Sequence, residues 1–174
     1  RQLWLCTQNP TAFLLWSKGA DKKWYCRREY YYSGRDKGRQ KTDKEFSDDL
    51  TAWLSGEKVR AVILDPAAAS FKAQLEKDGY KVKKAKNDVL DGIRFVATLL
   101  LSGSIFVDKS CENLIKEFAS YIWDAKAAER GEDKPVKEHD HALDALRYFC
   151  YTIIRKGGGI RILKWGDMNG HWSD

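Results

Sequence analysis

Glu138-His139-Asp140-His141-Ala142-Leu143-Asp144-Ala145-Leu146-Arg147-Tyr148 places three acidic groups and two imidazoles within seven residues. They stand at the start of a segment with helical periodicity. Leu143, Leu146, Phe149, Cys150, Ile153 and Ile154 supply its apolar stripe. Asp140 and Asp144 are four apart and His141 and Asp144 three apart, so each pair shares a helical face. A helix that carries carboxylates and a histidine beside its buried stripe can present them to a neighbouring strand. Carboxylate oxygen suits hard divalent cations such as magnesium or manganese. Capping and solvation of a first helical turn are the plain structural uses of the same residues.

Outward from that helix, the chain reads as one α/β domain. Thr11 to Trp16 is an apolar run expected to form a buried strand, and Lys23 to Ser33, rich in Trp and Tyr, a second. Ser17 to Lys22 links them as a hairpin loop, and Ser33 to Lys41 reads as a mobile polar loop. Thr42-Asp43-Lys44-Glu45 is a capping box that opens a helix running through Leu54 and closed by Gly56. Val59 to Leu64 is a buried strand running into Asp65-Pro66. Helix Ala67–Lys77, strand Tyr80–Ala85, helix Asp88–Leu101, strand Ser104–Val107 and helix Cys111–Ala127 follow. Ala128 to Lys137 is a charged loop before the carboxylate helix. An antiparallel start followed by strand–helix alternation predicts a mixed sheet with helices on both faces. The expected domain is 1–156, with 157–174 a tail entered through Gly157-Gly158-Gly159.

With 174 residues the chain is long enough for one sizeable core. No apolar run approaches the length of a membrane span, no secretory signal is visible, and a cytoplasmic location is expected. Cys6, Cys26, Cys111 and Cys150 form no close pair of the kind that holds zinc, and a disulfide framework is not expected. The net charge of +6 comes from 31 basic and 25 acidic residues. It concentrates at Arg27-Arg28, Arg35 to Lys41 and Lys81 to Lys86, which suits a polyanionic partner as well as solvated loops and edge strands. Gly-x-x-x-x-Gly-Lys-Ser/Thr is absent, so no P-loop ATPase activity is expected of these residues.

Asp65 is the second anchor. A carboxylate at the C-terminal end of a buried strand stands at the usual ligand edge of an open α/β sheet. It can equally cap the following helix, with Pro66 at the first helical position.

Thr7-Gln8-Asn9-Pro10-Thr11-Ala12-Phe13, Asp65-Pro66-Ala67-Ala68-Ala69-Ser70-Phe71, Asn87 to Ile93, Tyr121-Ile122-Trp123-Asp124 and Pro135 to Tyr148 occur in that order. Together they resemble the nuclease domains of phage terminase large subunits, over nearly the whole stretch from Thr7 to Arg155. The resemblance implies a ribonuclease H-like fold and a metal-dependent DNA endonuclease that cuts concatemeric viral DNA in the host cytoplasm. It further implies magnesium or manganese in a two-metal site. The implied partners are double-stranded DNA, a packaging ATPase domain, a small terminase subunit and a portal. By that resemblance Asp65, His141 and Asp144 are the catalytic candidates, and Asp65, Asp144 and Asp140 the metal candidates. Arg35, Lys37, Arg39, Lys83, Lys84 and Lys86 are the expected DNA-binding residues.

One motif departs from the family. The first-strand carboxylate stands three residues before the Thr of the Thr-x-Asn-Pro pattern, and here that slot is Trp4. No Asp or Glu precedes Asp21. A site holding one ion better than two, with weak cleavage, is the expected consequence. The alternatives are a catalytically impaired DNA- or partner-binding domain of the same fold, and another ribonuclease H-like nuclease of resolvase or transposase type.

Overall fold

The computed structural model describes the backbone of residues 2–6 and residues 10–120 and 140–157. Its strands are β1 (Gln2–Cys6), β2 (Thr11–Lys18), β3 (Trp24–Tyr32), β4 (Val62–Leu64), β5 (Val82–Lys84) and β6 (Ile105–Val107). Its helices are α1 (Gly34–Lys37), α2 (Asp43–Leu54), α3 (Ala69–Lys77), α4 (Val89–Leu101), α5 (Glu112–Ser120) and α6 (His141–Phe149). A π-helical turn, Cys150–Ile154, and a 3₁₀ turn, Arg155–Gly157, extend α6.

The strands form one mixed sheet in the order β5-β4-β1-β2-β3-β6. β1, β2 and β3 pair antiparallel in sequence, while β4 joins β1, β5 joins β4 and β6 joins β3 in parallel. Every strand except β2 therefore points the same way. The C-terminal ends of β1, β3, β4 and β5 share one edge of the sheet.

β2 is apolar without alternation because both of its faces are covered. Phe13 and Leu15 pack with Val62, Leu64, Leu50 and Phe71 beneath α2 and α3. Ala12, Leu14 and Trp16 pack with Ile63 beneath α4, α5 and α6. Trp16 is fully buried and stacks on Phe149 of α6 at 4.4 Å between ring centroids. That contact fixes the C-terminal half of the carboxylate helix on the sheet. Cys26, Cys111 and Cys150 are buried as small hydrophobes.

The capping box at Thr42 forms as its sequence predicts, and α2 ends at Ser55 and Gly56, both at positive φ. Three local expectations are corrected. Ser33 to Lys41 is not a loose loop: Ser33 caps α1, and Arg39 and Lys41 make ion pairs with Glu45 and Asp49 of α2. Strand β4 is three residues long rather than six, because only Val62 to Leu64 find ladder partners on both sides. The helix after Asp65 starts at Ala69 rather than Ala67, because Asp65-Pro66-Ala67-Ala68 forms a turn closed by Ala68 N–H donating to the Asp65 carbonyl at 3.0 Å. The second half of the expected Cys111–Ala127 helix, the charged loop 128–137, and 158–174 lie outside the described residues. Among those that are described, no helix is long and apolar enough to cross a membrane.

Candidate active site

Asp65 follows the last residue of β4. Val62 and Leu64 face α2 and α3, so alternation turns Ile63 and Asp65 toward the α6 layer. One carboxylate oxygen accepts the Ala67 N–H at 2.8 Å. The other accepts the hydroxyl of Tyr148 on α6. Asp65 is therefore not the cap of α3, whose N-cap position is Ala68 with no side-chain bond. Both of the uses open to Asp65 in the sequence had it on the edge of the sheet, and it serves the neighbouring helix rather than its own.

Asp144 stands four residues before Tyr148 on α6, about 6 Å along the axis. Its side chain is 26% exposed, and its Oδ1 accepts both Nη2 and Nε of Arg147, at 2.6 and 3.2 Å. Both carboxylates act on the Tyr148 hydroxyl. Burial raises its pKa well above the ordinary value, and the Asp65 hydrogen bond and the charges of Asp144 and Asp65 add to that. His141 is the first residue of α6 and half-buried, and Asp140 precedes it in the N-cap position without a side-chain capping bond.

Arg147 and Tyr148 carry no assigned role in the sequence reading, yet they organise this region. Arg147 is buried, and its Nη1 donates to the carbonyls of Asn87 and Asp88 at 3.0 and 3.1 Å. Burial works against its charge, but the Asp144 carboxylate more than offsets this and holds the guanidinium above its ordinary pKa. Its stem crosses α4 at Gly92, where a Cβ would stand 2.7 Å from Arg147 Cγ. The three-residue spacing to Asp144 is the signal that could have found it.

The position of Trp4 is set by backbone register: it pairs with Ile63 in parallel and Leu14 antiparallel. Both partners belong to the α6-side core. The slot thus lies on a central strand, level with the residue two before Asp65.

The expected DNA-binding residues fall at the same end of the sheet. Lys83 and Lys84 are exposed on edge strand β5, level with Ile63 and Leu64, and Lys86 lies just past them. Arg35, Lys37 and Arg39 follow the end of β3 on the other side. Arg39 is committed to Glu45.

Could these donors hold a divalent ion? Among the described residues no three His, Cys, Asp or Glu side chains form a metal-binding group. Asp65 and Asp144 offer oxygen only, on adjoining elements. That set suits one hard cation keeping several waters, since magnesium is commonly bound through one or two carboxylates.

Residues 8–152 match the family model described as the terminase RNaseH-like domain. The large terminase subunit of Escherichia phage T5 is 31% identical over 153 residues, covering 85% of this chain and 34% of that protein. The large terminase of a thermophilic bacteriophage is 50% identical, with a TM-score of 0.84 over 88% of this chain and 40% of that one. The nuclease domain of the bacteriophage SPP1 large terminase, solved with bound manganese, is 18% identical with a TM-score of 0.60, over 88% of this chain and 85% of that one. The chain therefore spans between a third and two-fifths of the T5 and thermophilic-phage proteins that it matches.

Proposed function

The chain belongs to the family of terminase RNaseH-like domains, and from that premise we propose that it is a metal-dependent DNA endonuclease domain that cuts viral DNA during genome packaging. The observation that carries this reading is the pairing of Asp65, at the carboxyl edge of β4, with the Asp144 helix through Tyr148. Basic residues stand on both sides of that edge.

In this reading Asp65 and Asp144 hold the ion, with Asp140 within one turn of Asp144. A bound divalent cation supplies charge neutralisation at the scissile phosphate and a more acidic water. Arg147 holds the Asp144 carboxylate through two bonds, and the Tyr148 hydroxyl holds that of Asp65. His141 lies one turn from Asp144, where it can orient a water or shuttle a proton. Lys83, Lys84, Lys86, Arg35 and Lys37 hold the duplex by its phosphates, which gives strength without base preference. The packaging ATPase, small terminase subunit and portal are the partners such a domain would serve.

A second reading has its own observation. Trp4 occupies the strand position that the family pattern gives to a carboxylate. A site with two carboxylates favours one ion, so the unmodified chain should cleave weakly or act only as a DNA-binding domain. Plasmid nicking titrated with manganese separates the readings. Expected are weak nicking by the unmodified chain, none by Asp144→Asn, and stronger nicking by Trp4→Asp. Robust cleavage that Asp144→Asn leaves intact would sink the proposed site. Duplex binding with no nicking by either the unmodified chain or Trp4→Asp would establish the second reading.

A further inference from the structure

The helix that carries Asp144 and His141 does not cap itself. Its N-cap residue, Asp140, makes no side-chain capping bond. The acceptor comes from another element: Oε2 of Glu117, on α5, takes the N–H groups of Ala142 and Leu143 at 2.7 and 2.9 Å. Its Oε1 accepts the Tyr31 hydroxyl of β3 at 3.1 Å. Glu117 is only 4% exposed.

The helix bearing Glu117 is itself held from outside. Glu29 of β3 accepts Asn113 N–H at 3.1 Å, Asn113 Nδ2 at 2.5 Å and Leu114 N–H at 2.7 Å, all at the start of α5. Glu29 and Tyr31 are two apart on one strand, so they share a face. One strand therefore fixes α5 with one residue and steadies Glu117 with the next.

A local cap would satisfy the same orphan donors without burying a charge. Thr42 does this for α2. Burying a carboxylate is unfavourable, and what it adds here is geometric. A local cap moves with its helix, whereas a cap from another element ties the helix's rotation to that element. The Cα atoms of a helix lie about 2.3 Å from its axis, and a carboxylate lies about 5 Å from it. A 10° rotation of α6 would then carry the Asp144 oxygens by about 1 Å, beyond the ~0.5 Å tolerance of a working site.

We propose that Glu117 is a positioning residue of the site: it sets the direction of the first turn of α6, and through it the places of Asp144 and His141 relative to Asp65. This rests on Asp65 and Asp144 taking a divalent ion. Manganese binding by the metal-free full chain, read by electron paramagnetic resonance, tests both claims separately. Glu117→Ala should weaken binding at least tenfold, because both N–H groups lose their acceptor. Glu117→Gln should leave the affinity essentially unchanged, within about 1.5-fold, since its carbonyl oxygen can accept the same two N–H bonds. Exchange of the Ala142 and Leu143 amide protons should speed up in the alanine variant and much less in the glutamine variant.

A folded Glu117→Ala chain with unaltered manganese affinity would overturn the proposal. If that variant does not fold, Tyr31→Phe decides: a loss of about threefold supports the proposal and an unchanged affinity refutes it. Asp144→Asn is the reference. Unaltered binding by that variant, or no binding by the unmodified chain, would remove the metal-site reading on which the proposal stands.

Discussion

Gly92→Ala should destabilise the domain, although alanine favours a helix over glycine by about 1 kcal/mol. The reason is Arg147. A Cβ at position 92 would sit 2.7 Å from its Cγ and 2.9 Å from its Cδ. Ordinary contact begins near 3.4 Å, so the arginine stem must retreat by about 0.7 Å. Its Nη1 bonds to Asn87 and Asp88 span 3.0 and 3.1 Å, an ordinary N–H···O length, and a retreat of about 0.7 Å would carry both past the ~3.2 Å limit. Both bonds would be lost or badly weakened. At about 1.5 kcal/mol or more for each bond from a charged donor, the loss exceeds the helical gain and leaves a net cost of about 2 kcal/mol. Equilibrium urea denaturation followed by tryptophan fluorescence measures it. In an Arg147→Ala background the obstruction is gone, and the same substitution should stabilise by about 1 kcal/mol. The two effects together make a coupling of about 3 kcal/mol. If Gly92→Ala stabilises both backgrounds equally, the Arg147 stem does not lie across α4 as described, and its hold on Asp144 loses its anchor.

The remaining expectations concern pH and DNA. Burial raises the Glu117 pKa from 4.5 to about 7, with the Asp140 charge adding and the bonds from Leu143, Tyr31 and Ala142 opposing. A raised pKa means that the folded state binds the proton more tightly. This group's contribution is therefore full below about pH 4.5 and is lost as pH rises through about 7, a span of roughly 3 kcal/mol. The stability difference between the unmodified chain and Glu117→Gln, taken from urea midpoints at pH 5 and pH 8, should shift by that order against the unmodified chain at the higher pH; a constant difference would contradict it. Reversing Lys83 and Lys84 to Glu should weaken duplex binding equally for all sequences. It should also flatten the log–log salt dependence by about 0.9 for each phosphate no longer neutralised. An unchanged slope would place the DNA elsewhere.

The core is legible in the sequence because period-two and period-3.6 apolar patterns report burial directly. The unbroken Thr11–Trp16 run marks a strand covered on both faces, and Thr42 to Glu45 announces α2 to the residue. The resemblance to terminase nuclease domains singles out Asp65 and Asp144 as candidates, one at a strand end and one on a helix face. What local pattern does not supply is pairing between distant elements. Glu117 reads as one more charge on an amphipathic helix, and only the docking of α5 against α6 makes it a cap. Arg147 looks like a solvated end-of-helix cation until Gly92 lets it lie across α4. The ends of β4 and α3 escape local pattern for the same reason: ladder partners decide the first and a turn at Asp65 the second. Arg39 reads as available to DNA, but its partner Glu45 stands on the next helix.

Anomalous scattering from crystals soaked in manganese addresses the central claim most directly. A single peak is expected, with carboxylate oxygens of both Asp65 and Asp144 within about 2.0–2.6 Å and water filling the remaining positions. Two peaks in the same cleft would mean that a further acidic group completes the site despite Trp4. A peak remote from both aspartates, or none at saturating manganese, would contradict the account.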